Sequence, residues 1–150
     1  MAGDVFHGSV FIAAPREEVF VHFTEPDALV AWMGDRAVVD PRPGGRFVLH
    51  IGTRVVRGEY VIVDFPRRVV ITWGRDGSTR LPAGASTLEV TLEVEGSGTR
   101  VSVVHSNLPE VERRLHAAGW AHYLARLVAV TQGGEVERHA VPPELSADAD

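Results

Sequence analysis

The residues best suited to chemistry in this chain of 150 are few and lie far apart. His105 ends the run Val101-Ser102-Val103-Val104-His105, in which Val101, Val103 and His105 share one side of an alternating pattern. Burial on such an apolar face disfavours the charged imidazole and lowers its pKa. A neutral His105 could then accept a proton or hydrogen-bond a ligand. It could equally be a core histidine satisfied by a backbone carbonyl or water. Tyr60 offers a hydroxyl, sharing one face of its strand with Ile62, and Glu59 a carboxylate on the other face. His50 alternates with Arg46 and Val48, opposite Phe47, Leu49 and Ile51, so either side of 46–52 could line a cavity. Trp32, Trp73 and Trp120 come from three separate elements and could form an aromatic box for a planar ligand, or simply plug the core.

Other chemistries are removed by composition and spacing. The chain has no cysteine and no lysine: all 15 basic residues are arginine. Disulfides, thiolates, Schiff bases and a phosphate-loop lysine are therefore unavailable. His116 and His122 stand six apart on a helical segment and face different directions, so no metal ligand pair forms there. No serine sits in a nucleophile elbow, and Gly44-Gly45 and Gly133-Gly134 lack the strand-to-helix setting of a phosphate loop. No metal or cofactor is expected. A net charge of −5 without a basic cluster argues against nucleic acid as a partner. Arg46 and Arg57 read as solvated sheet residues. Arg80, in the long loop 74–85, either docks an anionic ligand or is exposed.

The elements that must position these residues are mostly strands. Residues 5–12 form a first strand, followed by a helix opened by Pro15 and a second short helix over PDALVAWM from Pro26. Six strands follow over 37–40, 46–52, 55–65, 68–73, 86–95 and 99–106. The alternation is clearest in 86–95, where Leu88, Val90, Leu92 and Val94 oppose Thr87, Glu89, Thr91, Glu93 and Glu95. Residues 109–132 carry the one sustained helical period. Val111, Leu115, Trp120, Leu124, Leu127 and Thr131 form the expected inner stripe, with Arg113, Arg114, Ala121, Ala125 and Arg126 mostly opposite. The fold class is α+β: a curved antiparallel sheet of six to seven strands gripping a long C-terminal helix, with two short helices after the first strand. A domain over 1–132 and a disordered tail over 133–150 complete the expectation.

An ordered set of short motifs carries a family likeness over about residues 5–132. It comprises Ala14-Pro15 with Val19-Phe20, Trp32, Pro43-Gly44-Gly45-Arg46-Phe47, Pro66 before Val69-Val70-Ile71-Thr72-Trp73, Val103-Val104-His105, and Gly119-Trp120 with Leu124 and Leu127. The chain resembles the family named for the activator of the heat-shock chaperone ATPase, within the START and birch-pollen-allergen (SRPBCC) superfamily. The resemblance implies a helix-grip fold with a hydrophobic cavity, and it does not imply the chaperone activity itself.

The expected function is binding or sequestration of a small hydrophobic ligand, aromatic molecules included, between sheet and helix, with a carrier preferred to an enzyme. Trp32, His50, Tyr60, Trp73, Val101, Val103, His105, Trp120 and Leu124 are the expected lining. A cyclase, aromatase or dehydratase using His105 or Tyr60, and a chaperone-regulator-like interaction module, are the alternatives. The expected partner is a small hydrophobic molecule rather than nucleic acid or membrane, with a homodimer left open. With no signal peptide or membrane span in the sequence, the expected location is cytoplasmic.

Overall fold

Alternating side chains between Arg36 and Ser106 build an antiparallel meander in the computed structural model, which describes residues 5–133. Its strands are β2 (Arg36–Val39), β3 (Arg46–Ile51), β4 (Arg54–Asp64), β5 (Arg68–Trp73), β6 (Ser86–Glu95) and β7 (Gly98–Ser106). The first strand, β1 (Phe6–Ile12), pairs with β7, giving a seven-stranded sheet in the order β1-β7-β6-β5-β4-β3-β2. β1 and β2 are thus the two edges, and the segment between them crosses from one to the other. That segment holds α1 (Arg16–Phe20), a 3₁₀ turn (Val21–Phe23) and α2 (Pro26–Val30), which bury Val19, Phe20, Phe23 and Leu29.

The long helix α3 (Glu110–Thr131) lies in the grip of the curved sheet. Its last turn is tied to the end of β1, where the Ala13 N–H donates to Gln132 Oε1 at 2.9 Å. Register sets the inner face of the sheet: Val69 faces Val90, Ile71 faces Leu88 and Trp73 faces Ser86. Leu88 in turn faces His105, Val90 faces Val103 and Leu92 faces Val101. The α+β helix-grip architecture read from the sequence is the one observed. No helix among the described residues is long and apolar enough to cross a membrane. The tail expected over 133–150 lies, beyond Gly133, outside the described residues.

Two details differ from the sequence reading. A register shift between Tyr60 and Ile62 inserts an extra residue into β4. Tyr60 pairs with inward Ile71, but Ile62 pairs with Val70, and Val63 takes the inward place beside Val69. The expectation that Tyr60 and Ile62 share a face is therefore corrected: a bulge breaks the two-residue period. The second difference is a rotation of α3. Its buried side chains begin with Glu112 and His116, then Gly119, Trp120, Tyr123, Leu124 and Leu127, while Val111 and Leu115 are only half-buried. Arg126, expected outside, is also buried, its Nε donating to the Trp32 carbonyl at 2.8 Å.

Gly58 lies just before the bulge, where β4 and β5 approach too closely for any side chain. A Cβ there would collide with the Thr72 carbonyl. The ladder is instead continued by the Thr72 hydroxyl, which accepts the Glu59 N–H at 2.9 Å. Gly58→Ala is expected to lower the unfolding free energy by about 1–3 kcal/mol, the usual cost of overpacking, in urea denaturation. An unchanged midpoint would show that the strands separate freely here.

Candidate functional site

A cavity of about 60 Å³ opens between the middle of α3 and the strands β3–β5. Its apolar wall is Met33, Ile51, Val56, Trp73, Gly119 and Trp120. Gly119 contributes by lacking a side chain, which leaves room where the helix faces the sheet. Arg54, Arg75, His116 and Tyr123 complete the wall with polar groups. A second void, of about 10 Å³, lies deeper among Phe23, Trp32, Phe47, Trp73 and Trp120. It has room for about one water molecule. Trp120 therefore closes the centre of the grip, its ring centroid 5.8 Å from that of Trp73.

A string of hydrogen bonds holds Trp120 in place. Its Nε1–H donates to His105 Nδ1 at 3.1 Å. With Nδ1 accepting, the proton of a neutral imidazole sits on Nε2, which lies 2.8 Å from Ser86 Oγ. The Ser86 hydroxyl in turn donates a hydrogen bond to the Trp73 carbonyl at 2.7 Å. His105 is fully buried, and burial, helped by the neighbouring His116, pushes its pKa well below the ordinary histidine value. Both ring nitrogens are committed, so the general-base role read for His105 has no free lone pair. Tyr60 is committed too: its hydroxyl donates to the Phe23 carbonyl at 2.8 Å, and burial raises its pKa.

Beside the cavity lies an ion cluster that the sequence reading did not isolate. Glu112 is fully buried on α3, and Arg75 grips it end-on, with Nη1 and Nη2 each 2.8 Å from a carboxylate oxygen. Arg80 Nε adds a third bond at 2.9 Å. Burial alone would raise the Glu112 pKa, but the Arg75 hydrogen bonds and charge outweigh it and hold the carboxyl below its usual range. One turn on, His116 Nδ1 donates to the Glu112 carbonyl at 2.8 Å. Burial lowers the His116 pKa against the opposing pull of that bond, so the ring is neutral with Nε2 as acceptor. His105 and His116 meet edge to face, their centroids 4.9 Å apart.

The nine residues expected to line a ligand site are thus divided. Trp73 and Trp120 border the cavity, and Trp32 borders only the deeper void, its Nε1–H given to the His22 carbonyl at 2.9 Å. Val101, Val103, Leu124, Tyr60 and His105 face inward as packed core, away from the open space. His50 is on the outer face, because the inward set of β3 is Phe47, Leu49 and Ile51, paired with Gly58, Val56 and Arg54. Arg75, His116, Tyr123 and Gly119 were missed as lining residues. The available signal was Glu112 and His116 at i and i+4 in line with Trp120, ionisable residues on a helix that must face the sheet.

The comparisons with known proteins place this geometry. Residues 13–132, four-fifths of the chain, match the family described as Activator of Hsp90 ATPase homolog 1-like protein. The chain belongs to this family. The AHSA1-like proteins fall within the SRPBCC/START-like superfamily. An AHSA1-like protein from Rhizobium etli is 38% identical, with a TM-score of 0.67, over 87% of this chain and 82% of that one. DynU16, from the dynemicin biosynthetic locus, is similar in fold at a TM-score of 0.78 and 22% identity, over 90% of this chain. This chain spans about half of DynU16, 49% of its length. An HSP90 activator from Plasmodium falciparum shares the fold at a TM-score of 0.71 and 23% identity, over 86% of this chain and 96% of that one. No curated protein matches the sequence.

Two outcomes follow for this AHSA1-like chain. Glu112→Gln removes one partner of a buried pair and leaves Arg75 an uncompensated buried charge. Stability is expected to fall by about 3–5 kcal/mol in chemical denaturation, far more than for an exposed pair such as Arg42–Asp40. A loss below about 1 kcal/mol would mean that water reaches the cluster. The second outcome concerns pH. Both His105 and His116 have folded pKa values below the unfolded value of 6.5, so the unfolded chain binds protons there that the fold refuses. Their contribution is present above pH 6.5 and lost as the pH falls, by up to about 1.4 kcal/mol per pH unit for each histidine still neutral. Urea titrations between pH 7.5 and 5.5 measure that slope. His105→Asn is expected to reduce it.

Proposed function

We propose that this protein binds a small hydrophobic molecule in the cavity between sheet and α3, as a carrier or sequestering module. The observation that carries the reading is the cavity itself, walled by Met33, Ile51, Val56, Trp73 and Trp120 and bordered by Gly119. Apolar walls with a few placed polar groups are the usual make-up of a ligand site. Binding is favoured over turnover because His105 and Tyr60, the groups expected to move protons, spend their hydrogen bonds inside the fold.

Size narrows the ligand. A water needs at least about 10–15 Å³ by the same measure, so about 60 Å³ encloses roughly four to six non-hydrogen atoms. A larger molecule projects through the mouth or displaces Trp120. The large exposed apolar residues among those described are Phe11 on β1, Val61 on β4 and Val94 on β6, with Val5 and Phe65 just beyond strand ends. That scatter gives the interaction-module reading no specific support.

Native mass spectrometry of freshly prepared protein, followed by titration with small apolar probes such as toluene and indole, tests the proposal. Binding is expected in the wild type. Gly119→Leu, which adds side-chain volume at the cavity wall, is expected to weaken it by about tenfold or more in protein that keeps the wild-type circular dichroism. Equal binding by the filled variant, or no binding by the wild type, would sink the reading.

A further inference from the structure

The polar part of the cavity wall is lopsided in hydrogen-bonding terms. Arg75 is 7% exposed, and its terminal nitrogens are engaged by Glu112. Its Nε–H, on the side edge of the same guanidinium, is buried with no partner among the described residues. Leaving such a charged donor unmade is costly, and it is the edge that a carboxylate grips side-on together with Nη2. Nη2 has only a long contact there, 3.5 Å to Ser78 Oγ.

Trp73 supplies a second donor. It stands two residues before Arg75 on an extended segment, and Arg75 continues the strand by bridging to Val56, itself inward and paired with Leu49. The two side chains therefore project to the same side, and both border the cavity. The Trp73 indole N–H has no hydrogen-bond partner among the described residues, in contrast to those of Trp32 and Trp120. Two residues that each carry an uncommitted N–H donor, one of them a permanent cation, thus border one small cavity. Arg54 adds a second guanidinium to the wall.

We infer that the ligand carries an oxyanion head: it is a compact carboxylic acid bound as its anion, with the carboxylate on the Arg75 side edge and the Trp73 N–H. Its apolar body then lies against Val56, Met33 and Trp120. The inference rests on the ligand-binding reading above and adds the charge of the ligand to it. Glu112 is what makes the arrangement stable without ligand, since it neutralises the guanidinium end-on while leaving the buried side-edge Nε–H unpaired.

The test compares butyrate with its neutral isostere butyramide, at pH 7, by titration of the wild-type protein with NMR detection of the arginine Nε–H signals. Butyrate is expected to bind about tenfold more tightly than butyramide. The Arg75 Nε–H signal is expected to move with butyrate, and both effects should vanish in Gly119→Leu. In Arg75→Lys, which keeps a cation opposite Glu112 but removes Nε–H, the preference for butyrate should shrink to within about twofold. Equal affinities for butyrate and butyramide, or binding of toluene and indole alone, would overturn the anionic head and leave the hydrophobic-ligand reading standing. Undiminished butyrate binding by Gly119→Leu would assign it to surface arginines and also overturn the inference. If butyrate, butyramide, toluene and indole all fail to bind, the ligand reading falls, and the charge inference with it.

Discussion

The contact on which the rest of this structure depends is the hydrogen-bonded string from Trp120 through His105 and Ser86 to the Trp73 carbonyl. It joins the helix to three successive strands of the inner face. A hydrophobic stripe alone would let α3 slide or turn against the sheet, because apolar burial is not directional. A directed bond from an indole in the middle of the helix to an imidazole in the sheet removes that freedom. It fixes the rotation of α3, and so decides that Glu112 and His116 point inward at its first turns while Val111 and Leu115 lie at the margins. The buried ion cluster follows from that rotation, since Arg75 and Arg80 meet Glu112 where the helix brings it.

The cavity lies beside the middle of the helix, where His116, Gly119, Trp120 and Tyr123 stand across from Ile51, Val56 and Trp73. In the second half of α3, Leu124 and Leu127 belong to the same buried core as Val90, Leu92, Val101 and Val103. Near the first half, a buried carboxylate and two arginines occupy the space that aliphatic side chains fill elsewhere. Charged groups need hydrogen-bond geometry as well as contact. The gap beside Gly119 is what remains.

Much of the fold was legible in the sequence because its signals are local. The strand 86–95 alternates without a fault, and 68–73 and 86–95 are strands in the structure over those same residues. The faces of Trp73 and His105 also follow from alternation alone. Tyr60 and Ile62 were misjudged because a bulge changes strand parity without leaving a mark in composition. The cavity wall was harder still. Arg75 and Glu112 are 37 positions apart, one in an irregular loop and one on a helix whose apolar residues suggest a different inner face. Their pairing is a tertiary fact, and the residues beside them, rather than Val101 or Leu124, form the open wall. His50 illustrates the same limit, because a strand with apolar residues on both faces does not declare which one is buried.

The strand order has a consequence for how the chain is made. Among the described residues β1 finds its only sheet neighbour in β7, with Phe6 opposite His105 and Ile12 opposite Thr99. Nearly a hundred residues must leave the ribosome before the first strand has anything to pair with. The meander β2–β7 can assemble stepwise from neighbouring hairpins, each a short loop closure, whereas docking β1 and then α3 comes last. During synthesis the apolar face of β1, with Val10 and Ile12, therefore waits uncovered for most of translation. Closure of the grip is a late event that depends on the far end of the chain.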